Sequence, residues 1–92
     1  VRTRALVFRF GNDLDVSIKT QKKAADMLLL SRSRGLRAMG KDPKGLAAAA
    51  LYMSCKSEGE KRTQAQIAEI ARITEVTLRT RVKQISKYLK KV

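Results

Sequence analysis

Residues Thr63 to Leu89 read TQAQIAEIARITEVTLRTRVKQISKYL, two short helical patterns separated by a turn of three or four residues. At about 100° per residue, Leu78, Val82, Ile85 and Leu89 fall on one side of the second pattern and form an inward stripe. Val76, Arg79, Thr80, Lys83 and Lys87 lie on the opposite side. That face is cationic, with one apolar residue near its amino end and no core for it to meet. Two helices joined by a tight turn, the second with a basic outer face, have the sequence form of a helix-turn-helix that reads DNA. An arginine there can fork onto guanine O6 and N7, and an aliphatic group can meet a thymine methyl. The plainer alternative is a surface helix whose lysines and arginines only keep the domain soluble.

The rest of the chain reads as helices too, and nothing reads as a sheet. Helix one spans roughly Thr3 to Asn12, with Leu6, Val7 and Phe10 inward, Phe8 partly so, and Asn12 and Asp13 at its end. Helix two starts at Ser17, a good N-cap, and is expected to turn Ala24, Ala25, Leu28 and Leu29 inward. A Gly-containing basic connector, Ser33 to Lys41, follows, pinned by Leu36 and Met39. Helix three opens with Asp42 as N-cap and Pro43 at the first helical position, where a missing amide donor costs nothing. Its apolar residues, Ala47 to Ala50 among them, occupy most of the circumference, as in a helix buried on several sides. A turn centred on Gly59 precedes helix four, capped by Thr63, with Ile67 and Ile70 inward. Thr74 caps helix five, where Glu75 meets the positive end of the helix dipole. The expected fold class is all-α, five helices in one domain covering residues 1–92, with the helix-turn-helix at about 63–89.

Charge points to the kind of partner. The chain has 21 Lys and Arg against 8 Asp and Glu, a formal net charge of +13, and a polyanion is the default ligand of such a surface. The two Phe and two Tyr, with Tyr52 and Tyr88 read as core members, give no stacking platform for single strands or RNA. No segment reaches the roughly 20 apolar residues that span a bilayer, and no signal-peptide pattern begins the chain, so an intracellular, soluble protein is expected. Cys55 is the only cysteine and there is no histidine, which leaves no credible zinc set; Cys55 reads as a packing residue. There is also no pair of carboxylates at plausible spacing inside an apolar site, and no phosphate-cradling Gly loop. No catalytic residue, cofactor or metal is expected.

Two blocks carry a family likeness. GKDPKGLAAAALY at Gly40 to Tyr52 and GEKRTQAQIAEIARITEVTLRTRVKQI at Gly59 to Ile85, with a weaker match through RFGNDLDVS, resemble the second cyclin-like repeat of archaeal transcription factor B. The eukaryotic general transcription factor IIB is the more distant relative. The resemblance implies a five-helix cyclin-like fold that joins the TATA-binding protein on double-stranded promoter DNA and reads a purine-rich element upstream of the TATA box. It implies that Val76, Thr77, Arg79 and Lys83 face the DNA, with Val76 and Arg79 as the base-reading pair; by helical position Thr77 sits at the edge of that face, where a phosphate contact is expected. Lys61, Arg62 and Arg72 near the start of the motif are candidate phosphate contacts, as are Thr80 and Lys87 on the outer face. The likeness covers only the last third of the family's full-length proteins. Their zinc ribbon and first repeat have no counterpart in these residues, so contact with RNA polymerase is expected only through such missing parts. A monomer is expected, cytoplasmic if archaeal and nuclear if eukaryotic. The competing reading is a cyclin-like docking module for an acidic peptide, with only non-specific phosphate binding.

The sequence departs from the family's pattern in two places. Arg72 stands in the turn where such motifs often have Gly, and a left-handed backbone there costs a non-Gly residue on the order of 1 kcal/mol. Ser54, Cys55 and Lys56 give the end of helix three more polarity than the family's usual apolar run.

Overall fold

The structure, a computed structural model, describes residues 2–36 and 43–90. Among the described residues there are five helices and no strand: α1 (Arg2–Asp13), α2 (Ile18–Ser33), α3 (Pro43–Glu58), α4 (Gln64–Ala71) and α5 (Glu75–Leu89). The expected N-cap Asp42 and the expected anchor Met39 lie outside the described residues.

α3 is the hub and packs against each of the other helices. Its residues Ala47 to Leu51 are fully buried, so apolar contact surrounds the helix as its composition predicts. At the α3–α5 crossing, a Cβ on Gly45 would come within 3.1 Å of Arg81 Cγ, so the small residue sets the approach of the two helices. The polar end of α3 is accommodated without loss: Ser54 is buried and its hydroxyl donates to the Thr20 carbonyl at 2.6 Å. Cys55 is buried beside it. Burial pushes its thiol above the usual range, against a smaller opposing effect of Arg62, so it stays protonated and serves as a small packing side chain.

α2 departs from expectation at one residue. Leu29 is 69% exposed, while the inward face is made by Thr20, Gln21, Ala24, Ala25, Leu28 and Ser31. Half of that face is polar, which is why apolar periodicity mislocated its carboxyl-terminal end. Thr20, Ser31 and the amide nitrogen of Gln21 have partners that make burial tolerable, while the Gln21 side-chain oxygen is buried without one among the described residues. Gln21 Nε2 donates to the Val16 carbonyl at 2.8 Å, and Ser31 donates to the Met27 carbonyl at 2.8 Å.

Helix termination follows one device used four times. Asp15, Gly35, Gly59 and Arg72 each have positive φ. At Asp15, Gly35 and Arg72 the two backbone bonds of a Schellman end are present; for α4, Ile73 N donates to Ala68 O at 3.0 Å and Arg72 N to Glu69 O at 3.2 Å. The following residues Val16, Leu36 and Ile73 pack on the core, the apolar contact that accompanies such ends. After Gly59 comes Glu60, which turns elsewhere.

Glu60 leaves α3 and caps α2 from outside. Its carboxylate accepts from the Ser17 amide at 2.9 Å, from the Ser17 hydroxyl at 2.6 Å and from the Thr20 hydroxyl. These donors hold its pKa down to about 2, the Ser17 and Thr20 hydroxyls acting most strongly. Lys23 donates to Glu58 at 2.8 Å in the same seam, and that bond lowers the Glu58 pKa. The guanidinium of Arg62 completes the clasp, donating to the carbonyls of Leu14 at 3.1 Å and Asp15 at 3.2 Å. The α3–α4 loop is thereby tied to the α1–α2 turn, and α4 starts from a fixed point.

Candidate nucleic-acid interface

Both helices of the Thr63–Leu89 stretch are capped as their sequence predicts. Thr63 and Gln66 form a reciprocal capping box, Gln66 N donating to Thr63 Oγ1 at 3.0 Å and Thr63 N to Gln66 Oε1 at 2.9 Å. Thr74 Oγ1 accepts from Thr77 N at 3.1 Å at the head of α5. Only Arg72, Ile73 and Thr74 separate the helices, and Arg72 adopts φ 59°, ψ 46°, the left-handed conformation expected of it. α4 turns Ile67, Ala68 and Ala71 into the core, with Ile70 half-buried against it.

Leu78 and Ile85 have no exposed surface, and Val82 and Leu89 pack half-buried beside them, so the inward stripe of α5 is the one its periodicity gives. Arg34 fastens the far end of α5, donating to the carbonyls of Leu89 at 2.6 Å and Tyr88 at 3.2 Å. A cation on the last carbonyls of a helix satisfies orphan acceptors and suits the helix dipole. With that side anchored, Val76, Arg79, Thr80, Lys83 and Lys87 are all exposed, Val76 at 63%. An aliphatic side chain this open, one turn from an arginine on the same face, gains nothing from the domain's own packing.

The remaining candidates are not equivalent. Lys61 and Arg72 are exposed. Arg62 is half-buried and committed to backbone carbonyls, those of Glu60 and Lys61 included, so its role in the structure is to hold the loop. Thr77 is half-buried, its hydroxyl 3.0 Å from that of Thr74. Thr80 donates its hydroxyl to the Val76 carbonyl at 2.9 Å, the back-bond usual for a helical threonine. Arg79 is held from α4, donating through Nη1 to Gln64 Oε1 at 3.2 Å. Gln64 was not among the candidates read from sequence, and nothing could have singled it out, because a partner fifteen positions away on another helix leaves no local signature.

Between Tyr52, Lys56, Lys61, Arg62 and Thr63 lies an open cleft of about 330 Å³, so the amino end of α4 presents a recess flanked by lysines. Cations around a helix start suit an anion's oxygens, because backbone N–H groups and dipole act together there. Among the described residues, no helix is long and apolar enough to cross a membrane.

Comparison with known proteins assigns this arrangement. Residues 1–88 match the family model described as the transcription factor TFIIB repeat. The chain is 51% identical over 79 residues to transcription initiation factor IIB 2 of Thermococcus kodakarensis, covering 86% of this chain and 26% of that protein. It is 46% identical over 90 residues to transcription initiation factor IIB of Pyrococcus furiosus, covering 98% of this chain and 30% of that protein. The corresponding factor of Methanopyrus kandleri is 48% identical over 81 residues, covering 88% of this chain and 26% of that protein. The chain therefore spans between a quarter and a third of the length of these relatives. Its five helices around a central α3 and its capped α4–α5 pair are those of a cyclin-like repeat, and the chain belongs to the transcription factor TFIIB repeat family.

Proposed function

We propose that this chain recognises promoter DNA in transcription initiation. In this reading α5 enters the major groove of a purine-rich element upstream of a TATA box, and the domain assembles there with the TATA-binding protein. The observation that carries the reading is the outer face of α5, where an exposed Val76 and Arg79 begin a run continued by Thr80, Lys83 and Lys87. Arg79 supplies a fork for guanine and Val76 an aliphatic contact for a thymine methyl. Lys83 and Lys87 farther along α5, Arg72 in the turn and Lys61 before α4 contact phosphates, setting register and affinity without sequence information. Thr77 and Thr80, whose hydroxyls are engaged within the motif, serve at the edge of the contact. Arg62 acts indirectly, by fixing the loop that carries Lys61. Contact with RNA polymerase belongs to segments of the longer relatives outside this repeat.

The test is a competition assay between a duplex with the intact element and a scrambled one. Arg79→Ala is expected to reduce the preference ratio about 5- to 150-fold, the equivalent of a bidentate contact of about 1 to 3 kcal/mol. Lys61→Ala is expected to weaken both duplexes alike. A ratio unmoved by Arg79→Ala would overturn the assignment, and equal, steeply salt-dependent binding by the unsubstituted chain would favour an acidic-peptide docking module instead.

A further inference from the structure

Three helices meet at Gln64. It is the first residue of α4, its backbone fixed by the Thr63–Gln66 capping box. Its side-chain oxygen accepts from Arg79 Nη1 of α5 at 3.2 Å, and its side-chain nitrogen makes a long contact of 3.5 Å to the Tyr52 hydroxyl of α3. Tyr52 is half-buried and packed on the core, so the amide is steadied from the interior side while it holds the guanidinium at the surface. An exposed arginine otherwise samples many rotamers, and ordering it on DNA opposes binding; a partner that restricts it beforehand reduces that loss. Arg79 and Gln64 belong to the two halves of the helix-turn-helix, so the bond also fixes where the guanidinium sits relative to α4.

We infer that Gln64 is a specificity-determining positioning residue, which presets the Arg79 guanidinium for base readout through the Tyr52–Gln64–Arg79 hydrogen-bond chain. The inference rests on the reading of Arg79 as a base contact. Gln64 acts on the reading arginine and not as a reader itself, so its removal lowers the preference for the intact element and leaves the fold and the phosphate-driven affinity nearly unchanged.

The experiment is an anisotropy competition of the 92-residue chain on intact and scrambled purine-rich duplexes, with the TATA-binding protein present, accompanied by thermal melts of each variant. Gln64→Met keeps the side-chain length and removes the acceptor. It is expected to lower the preference ratio about three- to tenfold, the effect of one hydrogen bond, with little change in binding to the scrambled duplex and an unchanged melting temperature. Gln64→Glu keeps the acceptor and adds a charge near phosphate; it is expected to retain the ratio while weakening both duplexes. The double variant Gln64→Met, Arg79→Ala is expected to fall no further than Arg79→Ala alone. If Gln64→Met leaves the ratio unchanged while Arg79→Ala collapses it, the positioning role is overturned and the reading of Arg79 survives. If the double variant falls below Arg79→Ala, Gln64 acts by another route and the inference is likewise overturned. If Arg79→Ala itself leaves the ratio intact, the base-reading assignment fails and the inference with it.

Discussion

Arg72→Gly is expected to stabilise the domain and, at the same time, to loosen its grip on DNA. Arg72 is held at φ 59°, ψ 46°, where the Cβ of an L-residue crowds the backbone at a cost of about 1 to 2 kcal/mol. Glycine removes that crowding, and its greater freedom in the unfolded chain returns about 0.4 to 1 kcal/mol of the gain. The net expectation is a stabilisation of roughly 0.5 to 1 kcal/mol, worth about 4 °C in melting temperature for a domain of this size. Arg72→Ala is the control: it keeps the Cβ and loses the same exposed side chain, so glycine should exceed alanine by the same margin of roughly 0.5 to 1 kcal/mol in urea or thermal unfolding. In DNA titrations both variants should lose one phosphate contact, reducing the slope of log affinity against log salt by about 0.9. A glycine variant less stable than the alanine variant would refute the strain argument. An unchanged salt slope would remove Arg72 from the phosphate contacts.

Other perturbations test other joints of the fold. Gly11→Ala would place a Cβ 2.5 Å from Cγ of Gln21, a side chain 1% exposed and anchored to the Val16 carbonyl, so a loss of about 1 to 3 kcal/mol by overpacking is expected in chemical denaturation. Glu60 links stability to pH: its carboxyl titrates near 4.5 when unfolded and about 2 when folded, so its contribution is fully present above pH 4.5 and is lost as pH falls toward 2. Melting curves of the unsubstituted chain and Glu60→Gln should therefore differ at pH 6 and converge as pH approaches 2; a gap that persists there would mean the ionised carboxylate is not what stabilises the clasp.

Local chemistry made much of this architecture legible in advance. Ser17, Thr63 and Thr74 cap as their types predict, Pro43 opens α3, and the stripe of Leu78, Val82, Ile85 and Leu89 gave the orientation of α5 and hence its outward face. Each of these signals lies within one or two helical turns, where side-chain type and spacing determine the outcome. What escaped depends on partners distant in the chain. Thr20, Gln21 and Ser31 are buried because specific acceptors meet them, so apolar periodicity assigned their neighbour Leu29 to the core instead. The ties that Arg62 makes to the carbonyls at Leu14 and Asp15 were likewise not legible, nor was the place of Glu60, an acid that sits on a helix start across the domain. Gln64 is the case with most bearing on function, since its bond to Arg79 exists only once α4 and α5 have docked.

The most direct test of promoter recognition is an anisotropy titration of the unsubstituted chain against a TATA-containing duplex with a purine-rich upstream element and against a scrambled control. It should run over several salt concentrations, with and without the TATA-binding protein. Preference for the intact element that persists as salt rises and sharpens when that protein is present is the predicted result. Equal affinities for the two duplexes that fall together with salt would contradict it, and would leave Thr63 to Leu89 as a basic surface for phosphate alone.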